Sequence, residues 1–513
     1  MSELSSPWLR EERPPHPSLV AQETADAVVV GGGITGLTTA LRLAQTGARV
    51  IVVEAGRLAG GTTGHTTAKV TSQHGSSYRR LIRHHGEEAA RRYAQANQRA
   101  IETVARLATG GDEDCGFVRA PAFIYALTAD ETADLEAECS AAVGLGLPAR
   151  LTTDTGLPFS VEAALVYDDQ AYIDPVGYCH AIARALTAEG GVIFEDSPVT
   201  DIEEDGSIVR CHVGGSSVTA KVAVIATLLP IVDRGGFFAK TRPSRSYGIA
   251  GKFGQPPPAG MFISAGSPTR SLRPWPEGGE TGFIIVGEGH ETGAAKATPD
   301  RWRALETWAT DNFDVESFDH RWSAQDYSTA DSIPYVGRSP LTQNVYVATG
   351  FRKWGLTNAT VAADILAAAI AGTDHPDADV FDASRIGGVR AIGTIIKDNV
   401  HVAGHLVGDR VARLLAPSII DMSPGEGRIV KADGHTLAAH RTADGVFKVV
   451  SATCTHMGCT VKWNEAETSW DCPCHGSRFD VDGRVLNAPA TRPLQAVDVT
   501  FETPGELEQQ TTD

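Results

Sequence analysis

The sequence predicts a doubly wound α/β domain interleaved with an α+β part, followed by a small all-β domain. Three observations predict it. Near the N-terminus, DAVVVGGG from Asp26 reads as a buried strand entering a glycine turn, with a helix and a second apolar strand after it. The middle of the chain mixes helical stretches with alternating strands. Beyond Ser418 the chain becomes short strands, glycine turns and four cysteines between Cys454 and Cys474.

In chain order, residues 1–25 are polar and proline-rich and predict a loose arm. The helix after the glycine turn spans Thr35–Thr46, with Leu37, Ala40, Leu41 and Ala44 at helical spacing, and Arg49–Val53 is the second strand. Val176–Ala188 reads as a helix. Gly191–Phe194, Val199–Ile202, Ile208–Val213, Val222–Ala226, Phe283–Val286 and Val345–Ala348 read as strands, and Trp354–Ala371 as a long alanine-rich helix. Residues 26–383 form one large unit, in which about 26–80, 150–230 and 325–383 build the doubly wound part. Residues 384–417 are a connector, and 418–505 are the all-β domain.

Composition sets limits. The chain has 513 residues, 42% hydrophobic and 21% charged, as expected of a globular protein. Its net charge of −18 argues against nucleic acid and anionic membrane faces, which an acidic surface repels. The first residues lack the apolar core of a signal peptide, and no run reaches the roughly 18 apolar residues of a membrane span. The expectation is a cytoplasmic protein. Cys115, Cys139, Cys179 and Cys211 are scattered singly and read as small buried hydrophobes.

Gly31, Gly33 and Gly36 form G-x-G-x-x-G between strand and helix, and Glu54 ends the next strand. That context is the dinucleotide fingerprint. The first glycine permits the turn, the second lets a pyrophosphate approach the backbone, and the third lets helix and strand pack. Glu54 would accept the ribose hydroxyls. Gly287, Gly289 and Gly293 are spaced one residue too long for a second fingerprint and read as a hairpin or loop. The fingerprint alone leaves NAD and FAD both open.

Cys454-Thr-His456, fifteen residues, and then Cys472-Pro-Cys-His475 give C-x-H and C-x-x-H. Two thiolates suit one iron of a [2Fe-2S] cluster and two imidazoles the other. Zinc also takes Cys2His2, but the usual finger pairs Cys with Cys and His with His. The flanks CTHMGC and CPCHGS closely resemble the Rieske family, over about Ser418 to Pro493. That resemblance implies Cys454, His456, Cys472 and His475 as cluster ligands. It also implies a disulfide between Cys459 and Cys474, as in the cytochrome bc-type branch, and Ser477 as a donor to a bridging sulfide. Phe479 stands where high-potential members carry a donating tyrosine, which implies a lower potential here. Pro489 resembles the proline loop that covers the cluster.

For the large unit, Asp331-Ser-Ile-Pro-Tyr-Val-Gly, Thr349-Gly-Phe-Arg-Lys-Trp-Gly355 and Ala171-Tyr-Ile-Asp-Pro resemble the D-amino-acid oxidase superfamily of FAD enzymes, over roughly Asp26 to Gly372. The resemblance is to glycine oxidase and to the sarcosine and dimethylglycine dehydrogenases. It implies FAD on Gly31, Gly33, Gly36 and Glu54, with Asp331 and Gly350 also at the cofactor and the ring near Lys353, Trp354 and Gly355. His65, eleven residues after Glu54, is similar in placement to a histidine that bonds the flavin covalently in those dehydrogenases. The other reading of His65 is a loop histidine that only hydrogen-bonds the cofactor. Tyr247, Arg273 and Lys353 are candidate catalytic residues, and Arg245 and Arg270 are further candidates for a substrate carboxylate.

Together the two resemblances imply an oxidoreductase that oxidises a C–N bond of a small amine or amino acid. Electrons would pass from FAD to the cluster and on to an external acceptor, a protein or quinone-like molecule. Electron flow in the reverse direction, a redox carrier or sensor without substrate chemistry, and an oxygen-using oxidase are the alternatives.

Overall fold

The computed structural model describes residues 5–9, 13–111, 113–293, 298–385, 421–432 and 435–497. They fall into two compact units, one reaching Arg385 and the other starting at Asp421.

The first unit is built on two sheets. In the first, Val345–Thr349, Ser216–Ile225, Gln22–Val30, Val50–Val53 and Val192–Phe194 lie side by side and parallel. Tyr335–Arg338 closes one edge antiparallel. The hairpin of Asp201–Asp205 and Ile208–Val213 joins Ser216–Ile225. The central strands are unbroken apolar runs because both faces of a parallel sheet are covered. Helix Ile34–Ala44 buries every residue except Arg42, which pairs with Asp364 at 2.8 Å on helix Gly355–Ala371. Helix Pro175–Ala188 starts at Asp174, whose carboxylate accepts the Val176 N–H at 2.9 Å.

The second sheet runs in the order Val315–Thr329, Thr241–Phe253, Gly282–Glu291, Arg270–Pro274, Met261–Ser264, Val118–Ala126, Ala163–Tyr172 and Lys69–Val70. Here the sequence reading needs correction. Gly287 and Gly289 are not in a hairpin or loop but inside strand Gly282–Glu291. Tyr247 and Arg270 flank Gly287 on either side, and ladders on both edges hold the glycine backbone extended. The strand expected at Val199–Ile202 forms instead over Asp201–Asp205, where it pairs with Ile208–Val213. Helices Tyr78–His85, Glu87–Thr109 and Ala129–Gly144 were not anticipated.

The described residues of the N-terminal segment, 5–9 and 13–25, are also not loose. The first strand starts at Gln22, ahead of Asp26. Trp8 and Leu19 are buried. The His16 N–H donates to Glu195 at 2.7 Å, the Leu19 N–H to Ser197 Oγ at 2.8 Å, and Arg13 pairs with Glu113 at 2.5 Å. A polar, proline-rich segment can be held by a few buried apolar anchors when its backbone N–H groups and charges also find partners.

The second unit has a three-stranded sheet, Gly427–Ala432, His435–Arg441 and Phe447–Ser451. A four-stranded one consists of Lys462–Asn464, Ser469–Asp471, Arg478–Phe479 and Val485–Asn487. Its core gathers Trp470, Phe479, Val461 and all four clustered cysteines. The expected connector 384–417, apart from Ser384 and Arg385, and the ends of the expected 418–505 domain lie outside the described residues. Among the described residues, no helix is long and apolar enough to cross a membrane.

Candidate flavin and iron–sulfur sites

The glycine turn sits at the end of strand Gln22–Val30. Gly31 has φ +112°, and a Cβ there would lie 2.6 Å from the Ala226 carbonyl oxygen. A Cβ on Gly36 would lie 1.9 Å from the Gly31 carbonyl oxygen, so helix and turn touch backbone to backbone. Gly33 is the N-cap of the helix and offers no side chain to its first turn. A bare turn at the positive end of a helix dipole fits a pyrophosphate. Glu54 lies beside it, accepting N–H bonds from Gly32 at 2.6 Å and Gly56 at 2.9 Å. Burial pushes its carboxyl pKa up, against those two bonds. Each oxygen retains a lone pair that a ribose hydroxyl can use. These residues fit the ADP half of a dinucleotide.

His65 ends a short 3-10 turn, Thr62–His65, that abuts this cradle, because the Ile34 N–H donates to Thr63 Oγ1 at 3.3 Å. His65 Nδ1 lies 2.8 Å from the Gly61 carbonyl oxygen. A carbonyl only accepts, so Nδ1 carries the proton and Nε2 the lone pair.

Gly350, Lys353, Trp354 and Gly355 lie where the parallel sheet hands over to helix Gly355–Ala371. Arg352 and Lys353 both have positive φ, +53° and +71°. Such strain in non-glycine residues persists only where the surroundings enforce it. Here buried Asp326 accepts the Lys353 N–H. The Lys353 side chain then reaches the second sheet, donating from Nζ to Ser246 Oγ at 2.7 Å. Burial of the ammonium lowers its pKa, and burial raises that of Asp326 to about 6.

The other predicted residues are placed differently. Arg245, Arg270 and Arg273 are buried, whereas Lys353 exposes part of its residue surface although its ammonium, on Ser246, is largely desolvated. Arg270 is paired with Glu288 at 2.6 Å, and Arg245 bonds Ser323. Arg273 donates to the carbonyls of Thr67, Pro274 and Ile173, which commits it to the backbone. Tyr247 is fully buried, its hydroxyl 3.2 Å from His290 Nε2. Asp331 is buried in an ion pair with Arg385 at 2.8 Å. Burial alone would raise its pKa, but Arg385 holds it below the ordinary carboxylate value.

Four side chains near these elements escaped the sequence reading: Lys69, His74, Asp326 and Ser246. His74 stacks on Trp354 with ring centroids 5.1 Å apart and bonds Tyr93 and the Thr71 carbonyl. Burial drops its pKa to about 3, so it is neutral. Lys69 is buried with Nζ on the Phe262 carbonyl at 2.8 Å and Ser271 Oγ at 2.7 Å. Burial lowers its pKa to about 7, with Arg273 adding to the effect. Unfolded, it titrates near 10.4. Between about pH 7 and 10 the unfolded chain therefore binds a proton that the native one does not, and stability at this residue rises with pH. Urea unfolding should show stability increasing from about pH 7 to 9 by up to about 2–3 kcal/mol from this group, and Lys69→Met should remove that increment.

In the second unit, the two cysteine segments fold as twin loops. The Cys454 carbonyl accepts the Gly458 N–H at 2.9 Å, and the Cys472 carbonyl that of Gly476 at 3.1 Å. The Cys454 N–H donates to the Cys459 carbonyl and the Cys472 N–H to that of Ser477, both at 2.8 Å. Both glycines are left-handed, with φ +76° and +77°. Each loop thereby wraps two N–H groups around its cysteine sulfur: those of His456 and Met457 around Cys454, and those of Cys474 and His475 around Cys472.

Cys454 and Cys472 hydrogen-bond to each other. That bond, the loop N–H groups and Ser477 lower the Cys454 pKa to about 7 against the effect of burial. The rings of His456 and His475 are 5.1 Å apart. Burial first and His456 second drop the His475 pKa to about 3, so it is neutral, the form that binds metal. Two sulfurs ringed by N–H donors and two adjacent imidazoles packed edge to face fit a [2Fe-2S] cluster. Cys459 and Cys474 are joined as a disulfide between the loops. Their sulfurs lie within 4.8 Å of Cys472, but being bonded to each other they are not ligands.

Ser477 Oγ accepts the Ala490 N–H at 3.0 Å, which ties the Pro489 loop to the site. Phe479 is wholly buried beside the ligand cysteines. Phe479→Tyr should raise the cluster's midpoint potential in protein-film voltammetry. A hydrogen bond stronger by about 1 kcal/mol in the reduced state corresponds to roughly 40 mV.

Fold and sites together define a flavin oxidoreductase with an appended iron–sulfur domain. Residues 26–369 match the FAD dependent oxidoreductase (DAO) family and residues 414–498 the Rieske [2Fe-2S] domain, and the chain belongs to that oxidoreductase family. It is 35% identical over 490 residues to the putative Rieske 2Fe-2S iron-sulfur protein YhfW of Bacillus subtilis, covering 95% of this chain and 96% of that one. It is 25% identical to the probable oxidoreductase OrdL of Haemophilus influenzae, over 74% of this chain and 90% of that one. The first unit's fold is similar to those of two solved structures. Glycine oxidase from Geobacillus kaustophilus gives a TM-score of 0.61 at 18% identity, covering 71% of this chain and 99% of that one. L-amino acid deaminase from Proteus vulgaris gives 0.60 at 17% identity, covering 74% and 98%. FAD and a Rieske [2Fe-2S] cluster are thus the protein's cofactors.

Proposed function

We propose that this protein is a cytoplasmic dehydrogenase that oxidises a C–N bond of an amine or amino acid and delivers the electrons to an external acceptor. The observation that carries the reading is the presence, in one chain, of a dinucleotide cradle and a four-ligand cluster site. When bound, FAD accepts a hydride from the substrate carbon, and the cluster accepts electrons one at a time.

The chain's own residues set up the reaction. Gly31, Gly33, Gly36 and Glu54 hold the ADP half. Lys353, kept in a strained conformation by Asp326, presents its ammonium with the Ser246 hydroxyl at the junction of the two sheets. Tyr247 supports that region from within the second sheet. The similarity in fold to glycine oxidase and L-amino acid deaminase supports an amino-compound substrate.

His65 would bond the flavin covalently through Nε2, the nitrogen left with the lone pair, the new bond replacing a C–H bond of the flavin 8α-methyl group while the proton leaves and the electron pair passes to the flavin and on to the external acceptor. Intact mass after denaturation should show FAD retained, and His65→Ala should release it. FAD lost from the unmutated chain would end that assignment.

Anaerobic mixing with a panel of amines, amino acids and hydroxy acids tests the function. Bleaching of the flavin by amino compounds supports it. Failure of every such compound to bleach the flavin, with reduction of the cluster by a protein donor, would make the protein an electron carrier instead. Rapid hydrogen peroxide formation without another acceptor would make it an oxidase.

A further inference from the structure

After the turn that ends at His65, the chain runs to Lys69 without helix or strand. Four successive carbonyls in this stretch are nevertheless each held by a different donor. Trp322 Nε1 donates to His65 O at 2.9 Å, Trp8 Nε1 to Thr66 O at 2.8 Å, Arg273 Nε to Thr67 O at 2.5 Å, and the Ile173 N–H to Ala68 O at 3.2 Å. Three of these donors are large side chains from distant parts of the sequence.

The donors also hold one another. The Arg273 guanidinium lies 5.1 Å from the centre of the Trp8 ring and 4.7 Å from that of the Tyr172 ring, and it donates further bonds to the Pro274 and Ile173 carbonyls. Leu9 closes over Gly64 so tightly that a Cβ there would lie 2.9 Å from its methyl. The clamped segment ends in Ala68, a buried non-glycine residue at φ +56°. Such a conformation needs an enforcing environment, and the clamp is one. At its other end the segment continues from Thr63, which bonds the first turn of the phosphate-binding helix.

We propose that Trp8, Arg273 and Trp322 are positioning residues of the flavin site, fixing the backbone of residues 65–68 so that the cradle stands preformed for FAD. The N-terminal segment is thereby part of the cofactor site. A preformed loop spares FAD binding the entropy of ordering it. The inference rests on the FAD site described above and is independent of the substrate. It gives Arg273 a role other than substrate clamp, since its bonds go to backbone carbonyls and two aromatic rings bury it.

The test uses the full chain. Trp8→Phe keeps the ring and removes the N–H, and Trp8→Ala removes both. The readouts are the ratio of bound FAD to cluster iron and the visible circular dichroism of the flavin. Cluster electron paramagnetic resonance serves as a separate report on folding. The expected result is a weaker flavin dichroism in Trp8→Phe, with a FAD to iron ratio lowered a few-fold, about what one hydrogen bond contributes. Trp8→Ala should lose most of its FAD while keeping the cluster signal. Unchanged ratio and dichroism in both variants would overturn the inference. So would a loss of FAD in Trp8→Ala matched by equal loss of the cluster, since that is general misfolding.

Discussion

Gly36→Ala should leave the protein with little or no FAD. The added Cβ would sit 1.9 Å from the Gly31 carbonyl oxygen, a contact no side-chain rotation relieves. Helix Ile34–Ala44 must then move off the turn, and the turn is itself backed by Ala226, whose carbonyl oxygen lies 2.6 Å from where a Cβ on Gly31 would be. Overpacking of this kind costs about 1–3 kcal/mol. Because the displaced groups are the phosphate-binding N–H groups, most of that cost falls on the cofactor. The expected weakening of FAD binding is about 10–100-fold, measured in the His65→Ala background, where FAD can be removed, by titrating apoprotein with and without Gly36→Ala and following flavin fluorescence. The cluster's spectrum should be unchanged.

Cys472→Ala should have the converse effect. Cys472 is 1% exposed, receives the Cys474 and His475 N–H groups, and faces Cys454. On the proposed ligand set, this removes one of the two thiolates, and neither neighbouring cysteine can replace it while Cys459 and Cys474 are bonded together. The cluster signal should vanish from electron paramagnetic resonance spectra of the reduced protein while FAD remains. Amino substrates should still bleach the flavin at the ordinary rate. Turnover with a one-electron acceptor such as ferricyanide should fall at least about tenfold, since the proposed one-electron outlet is gone.

Both of these sites were legible in the sequence because their residues are close together in it. The cradle is Gly31 to Glu54, one strand–turn–helix–strand unit, and its spacing carries the geometry. The cluster loops are six residues each, and the glycine that turns each one lies four residues beyond its cysteine. Helices Ile34–Ala44, Pro175–Ala188 and Gly355–Ala371 begin and end within two residues of the expected bounds. Their apolar spacing is strong.

What the sequence hid depends on partners far apart in the chain. Lys69 looks like an ordinary charge in a threonine-rich stretch, and only the fold brings Phe262 and Ser271 to it. Asp326 shows its purpose only when Lys353 is seen held in a left-handed conformation. Arg273 has the chemistry of a carboxylate clamp, and nothing local reveals that Trp8 and Tyr172 cover it. The polar arm read as loose because its anchors, Glu195, Ser197 and Glu113, lie more than a hundred residues away or close to it.

The central claim is that electrons from an amino compound enter at the flavin and leave through the cluster. Rapid-freeze electron paramagnetic resonance after anaerobic mixing with a bleaching substrate tests it most directly. The account predicts that the signal of the reduced cluster grows as the flavin bleaches, and that Cys472→Ala bleaches without it. A flavin that bleaches fully while the cluster of the intact protein stays oxidised would contradict it.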